Sequence, residues 1–223
     1  MKIIAELPPS TSKDVVINRI HAISRYTDYV DIPDSPGGKP SAHAIAVGVI
    51  AKESGLLPIV HIRLRDLNLL AYRSLLGALR LLDLNHVALL MGDPPSVGLP
   101  VDHLTTELAV PIAKEYGLKV GVLLSMRRNY AERLKIGADF YLVLNLRDPR
   151  ALEPLRSLEI YPYLLVRTDK NAALLNRLGQ PSVELESLRE LVDMLEPYSR
   201  GVVISAPGDF EAELMALSSI TKR

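Results

Sequence analysis

The chain has 223 residues, 48% hydrophobic and 23% charged, with 26 Lys plus Arg balancing 26 Asp plus Glu. That length supports one large core, and a net charge of zero argues against a general nucleic-acid binder. The absence of cysteine excludes disulfides, thiolate catalysis and zinc sites built from Cys. The apolar run before Glu6 is too short for a signal peptide, and no run approaches the roughly 18 residues of a membrane helix. A soluble, cytoplasmic protein is expected, without membrane or nucleic-acid partners.

Apolar strands and amphipathic helices alternate along the chain. "KIIAEL" reads as a strand, followed by the helix "DVVINRIHAISRY", whose Val16, Ile20 and Ile23 recur at helical spacing. "YVDIP" is the second strand. The helix "SAHAIAVGVIAKESG" follows, with Ser41 as a candidate N-cap and Gly55 as a stop. "LPIVHIRL" and "DLNLLAYRSLLGALRLLD" form the third pair, and "HVALLM" and "VDHLTTELAVPIAKEYG" the fourth, where Pro111 should kink or shorten the helix. The remaining pairs are "LKVGVLLS" with "RRNYAERLKIG", "FYLVLNL" with "DPRALEPLRS", "YPYLLVR" with "DKNAALLNRLG" and "SLRELVDMLEPYS", and "GVVISA" with "DFEAELMALSSI".

Continuous apolar strands separated by helices predict parallel strands covered by helices. Eight such units point to an α/β fold of the (β/α)8 TIM-barrel type, a compact single domain over residues 1–223. In a barrel the C-terminal strand ends share one mouth, which here would gather Glu6, Asp31, Asp34, His61, Arg63, Arg65, Asp66, Asn68, Asp93, Ser125, Arg127, Asn145, Arg147 and Arg167. The carboxylates could give protons or orient a heterocycle, and the arginines could grip anionic groups. Glu6 stands out, because an acid inside "IIAELPP" is costly to bury and burial raises its pKa towards that of a general acid. An ion pair to Arg65 is the structural alternative for Glu6; for His61 it is a satisfied core histidine. No His/Asp/Glu spacing marks a metal site. Neither GxGxxG nor GxxxxGK[ST] occurs. Asp209 in "SAPGDF" fits an N-cap.

"AELPP", "DIPDSPGGKPSAHAIAVGVIAKESG" and "LPIVHIRLRDLNLL", followed by "LLMGDPPSVG", resemble the methylenetetrahydrofolate reductase family over residues 3–98. The resemblance implies a flavin-dependent oxidoreductase that reduces a 5,10-methylene-tetrahydropterin, of folate or methanopterin type, to its 5-methyl form. It makes Glu6 the acid that opens the methylene bridge and puts Asp93 beside the cofactor and pterin. It assigns His61, Arg63, Arg65, Asp66, Asn68, Met91, Gly92, Ser125 and Arg133 to the cofactor, FAD or FMN with a deazaflavin as the other option. Asp34, Asn145, Arg147 and Arg167 fall to the substrate. Here Met91 replaces the family's arginine, Leu144 stands where a glutamine is usual, and "LLSMRRNYAERL" replaces a flavin-holding run. A non-redox methyl-transfer protein and a non-catalytic pterin-binding subunit are the alternatives. The implied partners are an electron-donor protein or partner subunit, in an oligomer.

Overall fold

The computed structural model describes residues 1–127 and 130–221. Nine parallel strands form one sheet: β1 (Lys2–Glu6), β2 (Tyr29–Ile32), β3 (Leu57–Arg63), β4 (His86–Leu90), β5 (Lys119–Ser125), β6 (Phe140–Leu144), β7 (Ile160–Val166), β8 (Ser182–Val183) and β9 (Gly201–Ser205). Strands β1 to β7 pair in sequence order, β7 pairs with β9, and β9 pairs with β1. The result is the expected closed eight-stranded (β/α)8 barrel. The two-residue β8 lies outside the ring and pairs with the end of β7.

The helices are α1 (Lys13–Ile23), α2 (Ala44–Glu53), α3 (Leu69–Leu81), α4 (Thr106–Glu115), α5 (Tyr130–Leu134), α6 (Ala172–Leu178), α7 (Leu185–Leu195) and α8 (Phe210–Ile220). Side-chain caps start several of them. Ser12 Oγ accepts from the Val15 amide at 3.4 Å, Thr105 Oγ1 from Leu108 at 3.4 Å, and Asp209 Oδ1 from Ala212 at 3.4 Å.

Three expectations change. The cap of α2 is His43, whose Nδ1 accepts from the Ile45 amide at 3.2 Å, so Ser41 lies outside the helix. "DPRALEPLRS" forms a 3-10 helix over Pro149–Leu155 instead of an α-helix. Pro154 has no N–H to give to an α-helical ladder, and its ring crowds the preceding turn. Helix α5 covers Tyr130–Leu134, and residues 128–129 of "RRNYAERLKIG", which begins at Arg127, lie outside the described residues. Pro111 remains inside α4, which is confined to Thr106–Glu115.

Strand alternation produces two apolar layers. Residues such as Val30, Ile32, Val60, Ile62, Val120 and Val122 face outward into the large core shared with the helices. Ile4, Ile59, Ala88, Phe140, Leu142, Tyr161 and Val203 fill the barrel interior. Phe140 crosses that interior because Gly121 opposite it has no side chain: a Cβ there would lie 2.1 Å from the ring. The floor is therefore packed, and polar chemistry is left to the C-terminal mouth.

Strand β7 changes its neighbour on one side. The β6–β7 ladder ends at Val143↔Pro162, and Leu165 and Val166 then pair with β8.

Candidate functional site

Above the apolar floor, strands β1, β2, β3 and β7 each contribute one polar side chain to a common network. Glu6 is the last residue of β1 and is partly exposed at the mouth. Asp31 is fully buried within β2 itself, one residue before its end. His61 on β3 is 5% exposed, and its Nε2 lies 2.8 Å from Asp31 Oδ1. From β7, the Tyr163 hydroxyl contacts both Asp31 Oδ2 and Glu6 Oε2, the latter at 3.0 Å.

A proton count fixes the polarity of this network. One phenol carries one proton and cannot donate to two carboxylates. With Tyr163 donating to Asp31, the contact to Glu6 is satisfied when Glu6 is the protonated partner and donates to the phenol oxygen. Electrostatics agree. Burial, and then the Asp31 charge, push the Glu6 pKa up to about 7, against the opposing pull of Tyr163, Ser205 and His61. Burial pulls the His61 pKa down, but the charge and hydrogen bond of Asp31 outweigh it and the net shift is upward. Burial and the two neighbouring carboxylates hold the Tyr163 phenol well above its usual range.

Behind this network lie two further groups. Ser205 ends β9 with its buried Oγ beside Glu6 but outside ordinary hydrogen-bond geometry. Glu213, in the first turns of α8, is 1% exposed; its Oε2 accepts weakly from the Ala206 amide at 3.5 Å and its Oε1 has no hydrogen-bond partner among the described residues. Burial and then the proximity of Glu6 raise its pKa well above the carboxylate range.

The sequence-predicted residues divide into those brought together and those used elsewhere. Glu6 and His61 share the network, and Glu6 makes no ion pair with Arg65, whose Nε lies 3.9 Å from Asp102. Strand β3 ends at Arg63, so the alternation that aligns His61 and Arg63 does not extend to Arg65. Arg63 is a clamp: it binds Asp66 through two bonds of 2.6 and 3.2 Å, donates to the Asp93 carbonyl at 3.0 Å, and reaches the Ser35 carbonyl. Asp34 accepts from the Arg63 amide at 3.0 Å. Asn68 caps α3, accepting from Ala71 at 2.9 Å. Arg133 ties the Leu123 carbonyl to Thr106 and Glu107 at the start of α4. Arg167 contacts Asn176 and Glu184. Asp93 is exposed at the rim, with Met91 and Gly92 half-buried beneath it.

Asn145 adopts the left-handed conformation (φ 60) just past β6 and donates to Ser125 Oγ at 3.0 Å. Its Oδ1 and the Nε of Arg65 are buried without hydrogen-bond partners among the described residues. Arg147 lines a cavity of about 290 Å³ between the end of β6, β7, β8 and α7, shared with Leu146, Leu165, Val183 and Met194, which reaches inward to Tyr163.

Three members of the site were absent from the sequence reading. Tyr163 reads as an ordinary strand former. Ser205 closes an apolar strand. Glu213 had a signal: it falls on the apolar stripe of α8 with Ala216, Leu217 and Ile220.

The flavin that the resemblance implies can be tested against these contacts. Arg63, Asn68 and Arg133 are engaged by the protein itself, so they do not fit a cradle for flavin phosphates. Arg65 Nε, 3.9 Å from Asp102 Oδ1, and Asn145 Oδ1 are a buried donor and a buried acceptor without hydrogen bonds among the described residues. Among the described residues no cluster of three or more His, Asp or Glu could hold a metal ion, and no helix is long and apolar enough to cross a membrane.

No family model and no curated protein matches the chain. Solved structures of similar shape include the Bacillus cereus spore cortex-lytic enzyme SleL (TM-score 0.63, 12% identity, covering 99% of this chain and 74% of that one). A GH18 chitinase from Pseudoalteromonas aurantia (0.59, 10%, 98% and 99%) and a native KDPGal structure (0.59, 14%, 99% and 94%) are also similar. At such identities the likeness establishes the barrel fold alone.

Proposed function

We propose that this chain is a pterin enzyme of the methylenetetrahydrofolate reductase type, in which Glu6 supplies the proton that opens the methylene bridge. The observation that carries the reading is the Glu6 carboxyl at the mouth, hydrogen-bonded to Tyr163 as a neutral acid and titrating at about 7. A general acid works best when its pKa lies near the working pH. The β1 motif that contains it and the "GDPP" turn after β4 support the same assignment.

In this mechanism a methylene-tetrahydropterin sits over the mouth with its N10 side towards Glu6. The carboxyl gives N10 its proton, the bond from N10 to the bridging carbon breaks, and an iminium remains at N5. Asn145 Oδ1 offers an acceptor to the pterin edge, and Asp93 adds negative charge at the rim beside the developing cation. The reduction also needs hydride, which reduced flavin supplies in the family that the sequence resembles.

The engagement of Arg63, Asn68 and Arg133 in protein contacts favours a second reading. The chain then binds pterin as part of a complex whose partner carries the flavin, or takes part in methyl transfer without redox chemistry. One assay separates the two. The purified protein is supplied with reduced FAD, FMN or a deazaflavin and with methylene-tetrahydrofolate or methylene-tetrahydromethanopterin, and the methyl product is measured. Methyl-pterin formed by the chain alone, lost by about 100-fold or more in Glu6→Gln, supports the first reading. Pterin binding without turnover supports the second. Failure to bind either pterin sinks both.

A further inference from the structure

The contacts His61 Nε2–Asp31 Oδ1 (2.8 Å), Asp31 Oδ2–Tyr163 hydroxyl and Tyr163 hydroxyl–Glu6 Oε2 (3.0 Å) form one unbroken line across the mouth, from β3 through β2 and β7 to β1. We propose that this line is a proton relay in which His61 restores the proton that Glu6 gives to substrate, with Asp31 and Tyr163 as its links. The proposal rests on the reading of Glu6 as the proton donor.

Each link has the chemistry the role requires. Once Glu6 has released its proton, its carboxylate is the stronger acceptor for the Tyr163 hydroxyl. The Tyr163 O–H bond breaks as an O–H bond forms on Glu6 Oε2. Asp31 takes a proton from His61 Nε2 on Oδ1 and, as its carboxyl group turns over, gives that proton to the phenol oxygen, so that it is a carboxylate before and after. In sum, imidazolium and Glu6 carboxylate become neutral imidazole and Glu6 acid, with no net charge created. His61 can begin as imidazolium because Asp31, Glu6 and Asp34 all favour its charged form against burial. Nε2 is the nitrogen that Asp31 takes, so Nδ1 remains as the ring's second proton site.

The surroundings favour transfer along this line over a static ion pair. Glu6 faces Asp31 from β2, His61 from β3, Tyr163 from β7, Ser205 from β9 and Glu213 from α8; Arg19 on α1 is the nearby cation acting on Glu213. Burial raises the pKa of Glu213 and so favours its neutral form, while Asp31 draws that of His61 upward and burial raises that of Glu6. A bound ligand covering the mouth would cut Glu6 off from bulk water, and the relay would then be its internal supply.

The test has one arm that needs no turnover. The Glu6 midpoint is measured by NMR of 13C-carboxyl-labelled protein, with the signal assigned by Glu6→Gln, in wild type, His61→Gln, Tyr163→Phe and the double variant. Loss of the His61 charge should raise the Glu6 midpoint, and Tyr163→Phe should shrink that rise at least ~twofold. An equal rise in both backgrounds would mean that the ends sense each other through space alone, and the relay would be overturned. If Tyr163→Phe does not fold, Asp31→Asn interrupts the same line and should give the same shrinkage.

In the kinetic arm, Tyr163→Phe should lower steady-state turnover about tenfold or more and lower the first turnover by less. Equal losses in both phases would also overturn the relay. Wild-type protein that turns over no methylene-pterin sinks the reading of the chain as a reductase, while the titration arm still decides the relay.

Discussion

The Arg63 guanidinium occupies the space in which a side chain on residue 92 would have to stand. A Cβ on Gly92 would lie 2.6 Å from Arg63 Nη1, and its φ of +79 is one that L side chains rarely adopt. The glycine after β4 therefore lets Arg63 reach across to the Asp93 carbonyl and lock the β4 turn to Asp66 and Ser35. Gly92→Ala should cost about 1–3 kcal/mol from strain and displacement of the clamp. Urea unfolding monitored by circular dichroism reads this as a lower midpoint with an unchanged slope. An unchanged midpoint would show that the clamp is dispensable.

The buried acids set the pH dependence of stability. Glu6 binds its proton more tightly folded (about 7) than at its ordinary value of 4.5. Between these values the folded state holds more protons than the unfolded one, so stability falls as pH rises. The loss attributable to Glu6 is about 3 kcal/mol by pH 8. Glu213 shifts in the same direction and adds to the decline. Glu6→Gln should flatten the slope between pH 5 and 7 (roughly the window of the shift), and Glu213→Gln should flatten the decline as well. Urea denaturation over a pH series tests both, and a wild-type curve rising through that window would contradict the assignment.

Asn68 offers a clean separation of structural from ligand roles. As the cap of α3, its replacement by Ala should cost about 1 kcal/mol, and by Gly only a few tenths. Pterin affinity, measured by calorimetry, should stay at the wild-type value in both. A large affinity loss with little change in stability would return Asn68 to the ligand.

Gly121 and Phe140 make a fourth case. A methyl group on residue 121 would fall 2.1 Å from the ring, so Gly121→Ala should destabilise the barrel by about 1–3 kcal/mol. The double change Gly121→Ala with Phe140→Leu should recover part of that loss. Thermal unfolding of the three variants gives the comparison; no recovery in the double variant would mean that the clash lies elsewhere.

The barrel was legible because parallel strands covered on both faces are written as continuous apolar runs, and those at 3–7, 57–64 and 119–125 are plain in the sequence. The 3-10 helix at Pro149–Leu155 was misread since leucine periodicity there outweighed two prolines in the reading but not in the backbone. A two-residue strand such as β8 leaves no periodic trace. In the site, Glu6 and His61 announce themselves as polar residues in apolar strands. Their partners do not: Asp31 reads as one more acid of the mouth, and Tyr163 has the composition of any half-buried strand residue. Which residues meet across a barrel depends on register and tilt, and neither is written in local sequence.

Pro162 has a consequence for how the barrel moves. It has no backbone N–H to give to the sheet, it stands where the β6–β7 ladder ends, and the next residue is Tyr163. The proton contacts of the mouth thus lie beside the end of a strand ladder. Widening there would carry the Tyr163 phenol away from Glu6 and Asp31 together, so breathing of the wall and protonation of the mouth would run on one clock.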